Sequence, residues 1–186
     1  QLIAAGHRVT AVTRKIERAS HLQILSTEGT CCNVVECTIA VERDSFESIL
    51  RDCEAEVIIN TAAVFRKSCK SYETELVKPT IAIVENVLWA CKSNKKVRRI
   101  VHTSSMASVR DPRQEPSNGK YYTSEDWNTM SSRDGPWPEP YQFAKTESER
   151  VLMNLGGQIN ELDIIALCPS MIYGPPRDTK AAEAAV

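Results

Sequence analysis

The chain has 186 residues, 42% hydrophobic and 25% charged, enough for one domain with a sizeable core and with no compositional case for disorder. A formal charge of −1 and no basic run longer than Lys95-Lys96 exclude the electrostatic footprint of a nucleic-acid or anionic-membrane partner. No apolar stretch approaches the ~20 residues of a membrane span, because Ile81 to Cys91 is broken by Glu85 and Asn86.

Leu2 to Ala5 followed by Gly6 reads as the tail of a helix with its terminal glycine, so the true start, and any targeting segment, is expected upstream of Gln1. Val9 to Thr13 alternates and is β-prone, a charged helical stretch follows around Arg18 to Leu25, and Asn33 to Cys37 holds a second short apolar run. Asp44-Ser45-Phe46-Glu47 has the form of a capping box, which predicts a helix through about Cys53. Val57-Ile58-Ile59 is continuously apolar, as in a strand buried on both faces.

Glu75 to Ser93 carries Leu76, Ile83, Val84, Val87, Leu88 and Cys91 at helical spacing, and Pro79 predicts a kink or a late start. Arg99 to His102 is the next strand and runs into the hydroxyl cluster Thr103-Ser104-Ser105. Residues 106–140 are polar and proline-rich, with Tyr121, Tyr122, Trp127 and Trp137. So long a connection is usually functional, and its aromatics predict a substrate-side wall. The alternative, a disordered insertion, fits poorly with that aromatic content. Pro140 then sits at a helix's first turn, Tyr141 to Leu155 reads as the helix, and Gly156-Gly157 as its stop. Asp163 to Cys168 is a last buried strand, before Pro169 to Pro176.

Strands alternating with helices predict βαβ units and an α/β doubly wound parallel sheet, with helices on both faces. Ligands in such sheets sit beyond the carboxyl ends of the strands. That rule gathers Thr13-Arg14, Asn60 to Ala63, Ser104-Ser105 and Pro169-Ser170 on one rim. Seven cysteines without paired metal spacing read as reduced thiols in a reducing, cytoplasmic setting.

Tyr141 and Lys145, four apart, share one face of a helix, where an ammonium favours the tyrosinate and makes the phenol a better acid. Reducing a ketone by hydride transfer leaves negative charge on oxygen, which Tyr141 could protonate while Ser105 orients the carbonyl. Ser104 is the rival to Ser105. His7, His21 and His102 have no partner pattern and read as core or surface residues, and no metal constellation exists. Trp89 reads as packing, and Glu147 and Glu149 as a solvated face.

Taken with Gly6 to Arg14, Val77-Lys78-Pro79-Thr80, Val97 to Ser105, Tyr122 to Trp127 and Tyr173-Gly174-Pro175, these residues resemble the extended short-chain dehydrogenases and reductases over nearly the whole chain. The branch of dihydroflavonol reductase, cinnamoyl-CoA reductase and 3β-hydroxysteroid dehydrogenase is the most similar. The resemblance implies a single Rossmann-type NAD(P)-binding domain over residues 1–186 and a catalytic set of Ser105, Tyr141 and Lys145. Arg14 stands where the family clamps the 2′-phosphate of NADP, so NADP is the implied cofactor and NAD the alternative. Thr61, Ala62 and Ala63 match the stretch under the cofactor, Thr103 precedes the serines, and Pro169 and Ile172 match residues beside the nicotinamide.

Thr38 and Ile39 stand where the family has Asp-Leu, which replaces an acidic adenine contact by a hydroxyl. The family's first strand and glycine-rich loop have no counterpart here, and most of the C-terminal substrate region is also missing, which implies a fragment. The implied function is interconversion of a carbonyl and an alcohol on a small to medium organic substrate, with no nucleic-acid or membrane partner. A sugar-nucleotide epimerase or dehydratase and a non-catalytic nucleotide-binding relative are the alternatives, and the oligomeric state is left open.

Overall fold

The computed structural model describes residues 1–19, 22 and 32–174, which divide between two compact units: Gln1–Thr38 with Met171–Val186, and Ile39–Ser170. In the first unit a 3₁₀ turn, Ile3–Ala5, closes on Gly6 at φ 83°, a left-handed conformation that glycine adopts without strain. Strand β1 (Val9–Thr13) pairs in parallel with β2 (Cys32–Glu36), from Val9 opposite Cys32 to Thr13 opposite Glu36. Between them lies a 3₁₀ turn, Ile16–Ala19, whose Ile16 amide donates to Glu36 Oε2 at 2.9 Å. The helix expected around Arg18 to Leu25, like His21, Cys31, Pro175 and Pro176, otherwise lies outside the described residues.

The second unit holds β3 (Val57–Asn60), β4 (Arg99–Thr103) and β5 (Asp163–Leu167), parallel and in the order β3-β4-β5. Its helices are α1 (Arg43–Cys53), α2 (Lys78–Ser93), α3 (Met106–Val109) and α4 (Glu139–Gly156). The parallel α/β, Rossmann-type arrangement is therefore the one the alternating elements predict.

One boundary differs from expectation, and two that are met, the late start at Pro79 and the stop at Gly156-Gly157, have local reasons. Glu42, without a side-chain capping bond, is the N-cap of α1, so Asp44 is no cap and instead lies in the first turn, where the helix dipole favours an acid. Residues Glu73–Val77 form a π-helical turn that feeds α2, with Pro79 in the first turn of α2. A wide turn accommodates a proline that has no N–H to give and whose ring would crowd the carbonyl four residues back. Gly157 ends α4 in an ordinary right-handed conformation, so its φ is not what stops the helix. Gly156 is there for space: a Cβ on it would meet Ile164 Cδ1 at 2.0 Å and Leu88 Cδ2 at 3.2 Å, so α4 closes directly on β5 and α2.

Alternation along the strands gives the sheet two unlike faces. Ile58, Asn60, Ile100 and His102 are buried on the face where Gly156 of α4 and Leu88 of α2 meet Ile164, the register partner of Ile100, and Leu88 and Leu152 are fully buried. Each fully buried leucine or isoleucine contributes about 1.5–3 kcal/mol by leaving water. On the opposite face the register sets Ile59 beside Val101 and Val101 beside Ile165, and Val57, Ile59, Ile165 and Leu167 are exposed. The burial on both faces expected from Val57-Ile58-Ile59 is thus met on one face, because the described helices pack on one side only.

Residues 106–140 are folded rather than disordered. Asp111 is buried and accepts from both Arg113 Nε (2.8 Å) and Nη2 (2.9 Å) and from Ser131 Oγ at 2.9 Å. Asp126 accepts the Ser117 and Thr123 amides at 2.8 and 2.7 Å. The Arg113 guanidinium holds the Asp111 carboxyl well below the usual carboxylate range, despite the opposing effect of burial. Trp89, expected in the packing, is instead half exposed beneath the Arg43 guanidinium, 4.9 Å from its ring centroid, a cation–π contact. Cys32, Cys37, Cys53, Cys69, Cys91 and Cys168 are all thiols, and burial pushes Cys91 up to about 12.

Candidate active site

The site grows from the end of β4. Beyond Thr103 the Ser104 amide bonds the Leu167 carbonyl at 2.8 Å, and the Met106 amide bonds the Pro169 carbonyl at 2.9 Å, so the chain leaving β5 is stitched to the chain leaving β4. Ser105, in extended conformation, is the N-cap of α3, its Oγ accepting from the Ala107 amide at 3.2 Å. That bond uses an oxygen lone pair and leaves the hydroxyl proton available to a ligand.

Ser104 is built differently. It is buried, and its hydroxyl donates to Glu149 Oε2 in a close contact. The Ser108 hydroxyl lies 2.5 Å from the same oxygen and 2.7 Å from the Ser105 carbonyl, two acceptors that share its one proton. Between the two rival serines, the structure spends Ser104 on the interior and keeps the proton of Ser105.

Across from this turn, α4 carries Tyr141, Lys145 and Glu149 at intervals of four, on one face. Lys145 is only 2% exposed, and its Nζ donates to the Thr103 carbonyl at 2.9 Å. Burial lowers its pKa, while the charges of Glu149 and Cys168 act in the raising direction. Tyr141 is half buried, with Phe65 edge-on at 5.2 Å between ring centroids and Trp137 at 6.1 Å. Phe65 also meets Trp137 edge-on at 5.3 Å. Of the loop aromatics, only Trp137 joins Tyr141: the Tyr122 hydroxyl bonds the Asp111 and Gln114 carbonyls, and Trp127 lies under Arg150.

At the end of β3, Asn60 Oδ1 accepts the Ala62 amide at 3.1 Å, which turns its Nδ2 toward His102 Nδ1, also at 3.1 Å. The ring proton of His102 then belongs on Nε2, an atom without a hydrogen-bond partner. Burial first, and the Lys145 charge second, lower His102 to about 4, so it is neutral at pH 7. This pair fixes the turn in which Thr61 and Ala63 are exposed and Ala62 is half buried.

The predicted residues Thr61, Ala62, Ala63, Thr103, Ser105, Tyr141, Lys145 and Pro169 thus gather at the carboxyl ends of β3, β4 and β5. Ile39 belongs to the same unit but is tied elsewhere, its carbonyl accepting from Asn86 Nδ2 on α2 at 2.6 Å. Arg14, Thr38 and Ile172 belong to the first unit: Arg14 is exposed on the bend after β1, Thr38 is half buried after β2, and Ile172 is exposed. Sequence reasoning placed Glu149 on a solvated face; the structure places it inside, 6% exposed. Only Glu147 is at the surface, paired with Arg150 at 3.0 Å. The signal was available, since eight residues from Tyr141 and four from Lys145 is the same helix face. Asn60 was placed on this rim and His102 read as a core or surface residue, but their pairing, Phe65 and Ser108 were missed.

Among the described residues there is no His, Cys, Asp and Glu cluster able to hold a metal and no helix long and apolar enough to cross a membrane. The sequence model of the NAD dependent epimerase/dehydratase family matches residues 1–186. An uncharacterized oxidoreductase of Schizosaccharomyces pombe is 28% identical over 185 residues, 95% of this chain and 54% of the relative. Anthocyanidin reductase of Arabidopsis thaliana is 26% identical over 178 residues, 93% of this chain and 51% of the relative. The chain spans about half the length of these curated relatives. In fold it is similar to Gre2 of Candida albicans in complex with NADPH, with a TM-score of 0.83 at 22% identity over 96% of this chain and 54% of that one.

Proposed function

The chain belongs to the NAD dependent epimerase/dehydratase family, and from that premise we propose that it carries the acid chemistry of an NADP-dependent reductase interconverting a carbonyl and an alcohol. The observation that carries the reading is the division of labour at the end of β4. Ser104 is consumed by Glu149, while Ser105 keeps a hydroxyl proton beside the helix that presents Tyr141 and Lys145. Relatives named as an oxidoreductase and an anthocyanidin reductase support the reductase class.

The donor set fits the nicotinamide-ribose end of such a cofactor. Lys145 has three N–H donors and gives one to Thr103, and the small residues Thr61, Ala62 and Ala63 allow close approach. Arg14 offers an exposed guanidinium suited to a 2′-phosphate. Among the described residues no glycine-rich turn leads into a helix to hold a pyrophosphate. NADPH supplies the hydride when bound. The chain's own part is to donate the Ser105 hydroxyl to the substrate carbonyl oxygen and to deliver the Tyr141 proton as charge develops there. Lys145, pinned to the Thr103 carbonyl, carries its ammonium one helical turn from Tyr141 on the same face of α4.

The test is Tyr141→Phe in the full-length protein. Turnover should fall by about 10²–10⁴, the range of a general acid, with NADPH affinity nearly unchanged by fluorescence titration. Full activity in that variant overturns the assignment.

A further inference from the structure

Glu149 is the one acid on the face of α4 that carries Tyr141 and Lys145, and it is built into the interior. Two serine hydroxyls, from Ser104 and Ser108, converge on its Oε2, and Cys168 Sγ lies 3.6 Å from the same oxygen. Ser104 and Ser108 bracket Ser105, and their own hydroxyls are 3.2 Å apart. A carboxyl group taken out of water is costly unless charge and hydrogen bonds compensate it. Here the compensation comes from the turn that presents Ser105 and from the ammonium one helical turn away.

We propose that Glu149 is a positioning residue of this site, the counter-charge to Lys145 and the anchor that ties the Ser104–Ser108 turn to α4. The proposal rests on the reading of Ser105, Tyr141 and Lys145 given above. One side chain then fixes both halves of the machinery: through hydroxyls it sets where Ser105 stands relative to the helix, and through charge it opposes the burial of Lys145.

The groups that act on Lys145 are Glu149 on its own helix, Cys168 after β5, His102 on β4, which is neutral, and the Thr103 carbonyl, which accepts its bond. Burial lowers the pKa of Lys145 and the Glu149 charge is the largest opposing influence, so removing that charge must move Lys145 further down.

The experiment is an NMR pH titration of the Lys145 ε-carbon in the chain as it stands, assigned with Lys145→Arg and repeated in Glu149→Gln. The glutamine keeps a carbonyl acceptor for one serine and loses the charge. The midpoint of Lys145 is expected at lower pH in Glu149→Gln and near its original position in Ser108→Ala, which keeps the charge. An unmoved midpoint in a folded Glu149→Gln chain overturns the proposal. Should that variant not fold, Glu149→Asp decides: with the charge drawn back by one methylene the Lys145 midpoint must still move to lower pH, and an unmoved midpoint overturns the proposal equally. Neither readout uses substrate or cofactor. A shifted Lys145 in a protein without reductase activity would sink the functional reading and keep Glu149, and an unmoved Lys145 in an active enzyme would do the reverse.

Discussion

Replacing Ser104 and Ser105 in turn by alanine separates two adjacent residues of identical chemistry. Ser104 is buried and gives its proton to the Glu149 carboxyl group. A hydrogen bond to a charged group contributes about 1.5–3 kcal/mol net, and Ser108 remains to bond the same oxygen, so Ser104→Ala should cost about 2 kcal/mol. Ser105 is half exposed and caps a helix of 4 residues. Losing that cap costs toward the low end of the usual range, about 0.5 kcal/mol. Urea unfolding followed by tryptophan fluorescence suits the comparison, because Trp89, Trp127 and Trp137 all lie within Ile39–Ser170 and report on that unit alone. The order should invert for turnover in the full-length protein, where Ser105→Ala loses more than Ser104→Ala. Ser104→Ala as stable as the unsubstituted chain, or Ser105→Ala the more destabilised of the two, would refute the reasoning.

Three further outcomes are expected. Asp111→Asn should weaken the protein at neutral pH and flatten the acid limb of its stability curve. The folded-state pKa of Asp111 is depressed, so its contribution is present above the unfolded value of about 4 and is lost as pH falls below it; thermal melts between pH 2 and 7 measure this. Phe65→Ala removes an exposed ring that meets Tyr141 and Trp137 edge-on, and should raise KM and lower stability by about 1–3 kcal/mol, at about 0.5–1.5 kcal/mol for each ring pair. Asn86→Leu leaves the Ile39 carbonyl and Arg43 Nε without their partner and should cost about 1–3 kcal/mol, read by the same fluorescence assay.

Much of the second unit was legible because periodicity records burial. Tyr141 to Leu155 and the strands at Val57, Arg99 and Asp163 fall within a residue or two of their observed bounds; the helix and the first two strands bury one apolar face, while Asp163–Leu167, expected to be buried, is half buried on one face and exposed on the other. Residues 106–140 were opaque for the opposite reason. They are held by Asp111, Asp126 and Asn128 bonding backbone and side chains, and polar anchors leave no period to read. Glu149 was misplaced because an acid in a helix is usually at the surface, and its burial is explained by the two serines that receive it together with the Lys145 charge. The turn at Glu73–Val77 was seen only as trouble at Pro79: a sequence shows that a proline must be accommodated, but not which widening of the backbone does so.

The glycine at the end of α4 has a mechanical consequence. The helix is gripped at Lys145, by the Thr103 carbonyl, and at Gly156, where bare backbone rests against Ile164 and Leu88. Eleven residues separate the two grips, about 16 Å at 1.5 Å per residue. A rod held at two points along its length can neither roll nor slide without disturbing the sheet, so the backbone of Tyr141, one turn before the first grip, inherits the stiffness of β4 and β5. Freedom to move beside Tyr141 is then left to the rings of Phe65 and Trp137, on the timescale of side chains rather than of helices.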